Sequence, residues 1–278
     1  MDANVIAGIK ILVSRRIGDL SHLDIEWFGG EPLLELPTIR EINRHIMSEI
    51  GSQNHPTFSS AMTTNGYLLT ADTFYELVSL GVRRFQITLD GPKHFHDKTR
   101  IRVSGGGSFD RIWKNLLSIR DSNKLVEVIL RIHVTRRNME SLDGFLSEIN
   151  NQFSSDARFK VLFKTVKNFG GPGRVCAEQL HVSQKNNVIA KLEKQLDGKL
   201  KVWRPKNICY ASRLNSLAIR ADGSIVKCTI AFTHPINNIG KINSDGRLDL
   251  DRQKLMKWTR GIFTMDRESM RCPLKGIG

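Results

Sequence analysis

No cysteine precedes Cys176, and only Cys209, Cys228 and Cys272 follow it. None of the four stands two residues from another, so the close-pair signature of zinc knuckles and dithiol redox sites is missing. Aromatic residues make up only 7% of the chain and do not interleave with the bases, which argues against a stacking platform for nucleic-acid bases. No apolar run approaches the length of a membrane span. Lys10, Arg15 and Arg16 break the apolar residues at the N-terminus, so nothing there reads as a secretory leader. No membrane partner and a cytoplasmic location are therefore expected. In that compartment the cysteines read as thiols or metal ligands before disulfides.

Acidic residues are also in short supply, 28 against 42 Lys and Arg, for a formal net charge of +14. Such an excess suits nucleic acid, anionic lipid or an acidic peptide. The bases are scattered along the chain in small groups, which disfavours nucleic acid. Length and a 40% hydrophobic content allow one large domain, or one domain with a small companion.

The stretch Leu23-Asp24-Ile25-Glu26-Trp27-Phe28-Gly29-Gly30-Glu31-Pro32-Leu33-Leu34 organises the rest. Its apolar and aromatic residues read as a strand covered on both faces. Gly29-Gly30 ends the strand and leaves no Cβ beneath whatever lies above. Glu31 then fixes a carboxylate at the strand's exit, and Pro32 stiffens the turn. A ligand with a positive group would meet Glu31 there; an ordinary strand-to-helix turn with a solvated Glu would read the same way.

A helical pattern spans residues 2–16, and Thr38 opens a second, which ends at Gly51. A short strand at 58–62 runs into Thr63-Thr64-Asn65-Gly66. Thr70 caps the next helix, which Gly81 closes. A strand at 84–89 turns away at Asp90-Gly91-Pro92, and residues 93–108 read as a charged loop. Helices at 109–120 and 139–149 alternate with strands at 126–134 and 159–163. This alternation predicts a parallel sheet of βα units, either a barrel or a doubly wound sheet. Gly29-Gly30-Glu31, Asn65-Gly66, Asp90-Gly91 and Thr135 all follow strands, so they share the rim where parallel barrels place their chemistry.

Asn168-Phe169-Gly170-Gly171-Pro172-Gly173 reads as a flexible junction, followed by a helix at 182–196. From Cys209 the chain turns β-like, with a hairpin at 217–228 tipped by Asp222-Gly223 and a short helix at 255–261. The core of this unit looks thin, and a metal cluster is one way to hold such a unit together. Cys209, Cys228 and Cys272 are candidate ligands, Cys176 an uncertain fourth; buried free thiols acting as small hydrophobes are the alternative.

Taken in order, these motifs resemble radical S-adenosylmethionine enzymes with a C-terminal SPASM-type domain, in the sulfatase-maturase and peptide-modifying branch. Trp27-Phe28-Gly29-Gly30-Glu31-Pro32-Leu33 is similar to the family's GGEP segment, and Thr64-Asn65-Gly66 to its TNG segment. Gln86-Ile87-Thr88-Leu89-Asp90-Gly91-Pro92 with His96-Asp97-Lys98-Thr99-Arg100, and Leu130-Arg131-Ile132-His133-Val134-Thr135, resemble two later strand segments. Cys209, Asp222-Gly223, Cys228 and Asn238-Ile239-Gly240 resemble the SPASM unit.

The resemblance implies an α/β fold: an incomplete (β/α)6 partial TIM barrel (1–167), a linker and helix (168–205), and a small hairpin-rich SPASM-like domain (206–278). It implies S-adenosylmethionine held by Gly29, Gly30, Glu31, Asn65, Thr88 and Arg131, with Cys209, Cys228 and Cys272 as ligands of an auxiliary 4Fe–4S cluster. A peptide or protein substrate and a reductant protein are the implied partners. The catalytic residue is unknown, with Asp90 as a speculative proton acceptor. The family's C-x3-C-x2-C loop has no counterpart here, so a truncated, catalytically inactive chain is expected. A non-catalytic peptide-binding relative and a basic nucleic-acid-binding protein are the alternatives.

Overall fold

The computed structural model describes residues 1–53, 56–166, 179–196, 198–205 and 207–277. The junction around Gly170 and Cys176 lie outside the described residues. The chain forms two compact units. One comprises His22–Asn43 and Thr57–Arg204; the other comprises Met1–Ser21, Arg44–Pro56 and Pro205–Gly278. The elements begin with α1 (Ala3–Arg16), β1 (His22–Trp27), α2 (Leu36–Gln53), β2 (Thr57–Thr64), α3 (Ala71–Ser79) and β3 (Val82–Leu89). Next come α4 (Lys93–Thr99), α5 (Phe109–Arg120), β4 (Glu127–Val134), α6 (Leu142–Phe153), β5 (Phe159–Thr165), α7 (Val182–Gln195) and β6 (Lys201–Val202). The chain closes with β7 (Ala218–Ile219), β8 (Ser224–Val226), β9 (Asn238–Ile242), β10 (Leu248–Leu250), α8 (Arg252–Phe263) and α9 (Arg267–Arg271).

In the first unit β1 to β6 form one sheet in sequence order, every neighbouring pair parallel. A doubly wound sheet reverses its strand order midway. This one never does, so the winding is of the barrel type, an arc with β1 and β6 at its two ends. Register divides the strand residues between two faces. Met62, Phe85, Val128 and Phe159 lie level with one another, and Ile87, Leu130 and Val161 form the next row. These pack with Leu77 of α3, Leu116 of α5, Phe145 and Ile149 of α6 and Leu192 of α7 in one apolar cluster.

The other face is polar. Its residues include Thr63, Arg84, Gln86, Thr88, Glu127, Arg131, His133, Lys160, Lys164 and Lys201, in register with one another across β2 to β6. Side chains fill the interior of a closed eight-stranded barrel with apolar layers; an open arc need not do so, which leaves this face for polar contacts.

β1 corrects one expectation. It is an edge strand, not one covered on both faces: His22, Asp24 and Glu26 are exposed while Leu23, Ile25 and Trp27 are half-buried. Only alternate residues meet the helix-side layer, and Phe28 falls beyond the strand and is exposed. Residues 93–108 correct another, since Lys93–Thr99 is a helix. Thr70 caps α3 as expected, its hydroxyl accepting from the Thr73 amide. Gly66 turns the chain out of β2 with φ +79°, and a Cβ there would stand 2.8 Å from Ile87 Cγ2.

In the second unit β7 to β10 form an antiparallel sheet in the order β10-β9-β8-β7. Asp222 holds the hairpin tip by accepting from the amide and hydroxyl of Ser224. The core is thicker than the sequence suggests because α1 joins it. Val5, Ala211, Ile225, Ile239, Ile242 and Trp258 are buried together, with Ile9 and Leu12 packed against them. Among the described residues, no helix is long and apolar enough to cross a membrane.

Candidate functional site

The ends of β1 to β4 carry four of the residues singled out from sequence. Glu31 follows the exposed Gly29-Gly30 pair, and its carboxylate is fully engaged. Oε1 accepts from Thr64 Oγ1 at 2.7 Å and from the Leu33 amide at 3.1 Å; Oε2 accepts from the Asn65 amide at 2.7 Å. Glu31 thus straps the exit of β1 to the exit of β2. A Cβ built on Gly29 or Gly30 would meet nothing within 4 Å, so the space above this backbone is open. Asn65 Oδ1 accepts from the Tyr67 amide, which fixes the turn after β2.

Thr64 pairs with Ile87, so Asn65 lies level with Thr88, and Thr88 pairs with Arg131. Glu31, Asn65, Thr88 and Arg131 therefore run across four strand ends, about 14 Å at the usual inter-strand spacing. Arg131 is the unusual member. Its Nε is buried and has no hydrogen-bond partner. Burial, with help from nearby Arg100, pushes its guanidinium pKa down, while Asp90 opposes this. A buried guanidinium N–H without an acceptor is costly, which marks it as a place for an anion.

Asp90 is tied from several sides. Arg100 donates through Nε to Oδ2 at 2.9 Å and through Nη2 to Oδ1 at 3.2 Å, and Thr99 Oγ1 donates to Oδ2 at 2.9 Å. His133 Nδ1 lies 2.9 Å from Oδ1. Burial raises the Asp90 pKa, but His133 and Arg100 together outweigh it and hold the carboxylate well below its usual range. Such a carboxylate is a poor proton acceptor.

Three further residues complete the network. The His96 ring is buried, and its Nδ1 accepts from the Asp90 amide. That assigns the proton to Nε2, which donates to Ser108 Oγ at 3.1 Å. Burial pushes the His96 pKa down to about 4. Asn138, also buried, donates to the carbonyls of Asp90 and His133 and accepts from the Thr135 amide. Sequence reading assigned no role to His96, Arg100 or Asn138. The Asp90-Gly91-Pro92 turn was the available signal, since whatever follows such a turn folds back on it.

The cysteines gather in the second unit. Burial raises the Cys209 pKa, a backbone hydrogen bond from Ala211 opposes this, and Cys228 and Cys272 add to the rise. Lys227, next to Cys228 in sequence, is fully buried, its Nζ donating to the carbonyls of Arg213 and Ser216. Burial brings the Lys227 pKa down to about 8. Among the described residues no three His, Cys, Asp or Glu side chains are arranged to hold a metal ion. Cys209, Cys228 and Cys272 as placed do not fit an iron–sulfur cluster.

Comparison with known proteins bears on the rim. No curated protein matches the chain by sequence. Native anSMEcpe with bound AdoMet superposes with a TM-score of 0.68 at 16% identity, covering 94% of this chain and 73% of that one. Native anSMEcpe with bound AdoMet and Kp18Cys peptide gives 0.67 at 16%, covering 94% and 74%. Streptococcus suis SuiB gives 0.60 at 14%, covering 94% and 61%. At these identities the likeness is one of fold. The sequence model of the Radical SAM superfamily matches residues 15–149, the stretch holding β1 to β4 and every rim residue described above. Residues 15–149 of this chain are therefore similar in sequence to the Radical SAM superfamily.

Proposed function

We propose that the strand-end rim binds S-adenosylmethionine, in a protein of the peptide-modifying kind, and that these 278 residues alone bind the cofactor without cleaving it. The observation that carries the reading is the buried, unpartnered Nε of Arg131 beside Thr88. The cofactor's carboxylate is an anion of the right kind for it, and the Thr88 hydroxyl stands next in the row. The Gly29-Gly30 backbone, open above, offers carbonyls to the amino group. Glu31 and Asn65 hold that backbone and the β2 turn in place, Glu31 accepting from the Asn65 amide and Asn65 Oδ1 from the Tyr67 amide. Solved structures of similar fold contain AdoMet and a peptide, which supports both parts of the reading.

When bound beside an iron–sulfur cluster, S-adenosylmethionine supplies a hydrogen-abstracting radical. The chain has no C-x3-C-x2-C loop to hold that cluster, and its own residues can only bind and orient. A second reading, favoured by the same cysteine positions, is a relative that binds peptide without catalysis. Equilibrium dialysis with labelled S-adenosylmethionine tests the site: binding is expected, and Arg131→Gln should weaken it by about tenfold or more. Equal binding by the variant would reject the site. Reconstitution with iron and sulfide should yield no deoxyadenosine; turnover above background would reject the inactivity.

A further inference from the structure

Gly105-Gly106-Gly107, in the segment between α4 and α5, shapes a side-chain cluster apart from the cofactor row. Gly105 and Gly106 both hold positive φ, +80° and +77°. The turn they make closes on Arg102, whose amide donates to the Gly106 carbonyl at 3.2 Å and whose carbonyl accepts from the Gly105 amide at 2.9 Å. A Cβ on Gly106 would stand 2.7 Å from Arg102 Nη2, so its absence seats the guanidinium against the turn. From there Arg102 Nη1 donates to Tyr67 Oη at 3.2 Å. Arg111, in the first turn of α5, lies with its Cζ 4.4 Å from the centre of the same ring. Tyr67 packs against the apolar cluster on the helix side of the sheet.

Two guanidiniums thus converge on one phenol. Neither meets a carboxylate among the described residues. Asp110, beside Arg111 in sequence, is taken by Lys93, as is Asp97, and Asp90 is taken by Arg100. The first turn of a helix favours negative charge, so Arg111 stands where a cation is least at home. The hydrogen bond from Arg102 lowers the Tyr67 pKa; burial opposes this, and Arg111 adds to the fall. From this geometry we propose that Arg102, Arg111 and Tyr67 form a binding site for a phosphate group, carried by a small phosphorylated molecule or by a phosphorylated peptide. Such a group brings three oxygens and nearly two negative charges to three donors and two positive charges, and arginine forks suit it. A carboxylate would satisfy one guanidinium and leave the other. The site stands or falls independently of cofactor binding at the rim.

Isothermal titration calorimetry on the full chain tests the site with inorganic phosphate, a blocked phosphoserine peptide and acetate. Phosphate and the phosphopeptide should bind, and acetate should bind about tenfold more weakly or not at all. Arg102→Gln and Arg111→Gln should each weaken phosphate about tenfold, with Lys257→Gln, an exposed control in α8, leaving it unchanged. Tyr67 supplies a local readout. Phosphate between the guanidiniums offsets their pull on the phenol, so its titration, followed by ultraviolet absorbance, should move up in phosphate. The component that moves should be the one missing from Tyr67→Phe. Unweakened binding in both arginine variants, an equal loss in Lys257→Gln, acetate bound as well as phosphate, or a Tyr67 titration indifferent to phosphate would each overturn the site. Tighter binding of the phosphopeptide than of phosphate identifies a modified polypeptide as the source, and equal affinity a small molecule; both results support the site.

Discussion

His96 sits neutral in a buried place, accepting from the Asp90 amide and facing Ser108. Its pKa falls from 6.5 to about 4 because burial disfavours the imidazolium. The unfolded chain therefore binds the extra proton between those values while the folded chain does not. Stability from this residue is complete above about pH 6.5 and is lost as pH falls toward 4, by about 3 kcal/mol in all. Urea denaturation at pH 7 and at pH 4.5 should show a larger loss for wild type than for His96→Gln; parallel losses would reject the account. Glu31, Asn65 and Asp90 were legible in sequence because each follows a strand; Thr88 and Arg131 came only from the family resemblance. What the sequence could not convey was how each carboxylate is used. Glu31 and Asp90 are satisfied by protein donors, and the group left wanting a partner is the base Arg131.

Helices and strands of the first unit follow their periodicity closely where one face is continuously apolar. α5 occupies Phe109–Arg120, the very residues its pattern predicts, because Ile112, Leu116 and Ile119 recur at helical spacing. α4 has no such stripe. Lys93–Thr99 is almost wholly polar, and it is helical because Asp90, Ser108 and the α5 start grip it from outside, Asp97 accepting from the Ser108 and Phe109 amides. β6 is two residues long and exists only through pairing with β5, which no local pattern reports. Turn residues were the more dependable signals. Gly66 has φ +79° against the Ile87 side chain, so Gly66→Ala meets both backbone strain and a contact at 2.8 Å. A loss of about 1–3 kcal/mol is expected. Thermal unfolding followed by circular dichroism measures it, and an unchanged midpoint would mean the turn relaxes freely.

At the scale of the whole chain, sequence position and structural unit part company. The first helix precedes every strand of the sheet, and proximity in sequence argues for placing it there. It packs instead with residues more than two hundred positions later: Val5 lies in one cluster with Ile225, Ile239, Ile242 and Trp258. Amphipathic spacing reveals that a helix has an apolar face, never which surface receives it, so this long-range choice was illegible. Gly8 gives it a sharp test. As a helix-interior residue, Gly8→Ala should stabilise α1 by about 1 kcal/mol on propensity alone. The added Cβ, however, would run into the carbonyl oxygen of Asn243, a backbone atom that cannot swing aside. The tertiary clash should outweigh the propensity gain and give a net loss of about 1–3 kcal/mol. Hydrogen exchange locates the effect: faster exchange is expected in Asn238–Ile242 and Leu248–Leu250, with Val82–Leu89 and Glu127–Val134 unchanged. A stabilised variant, or loosening confined to the parallel sheet, would show that α1 does not belong with the C-terminal strands.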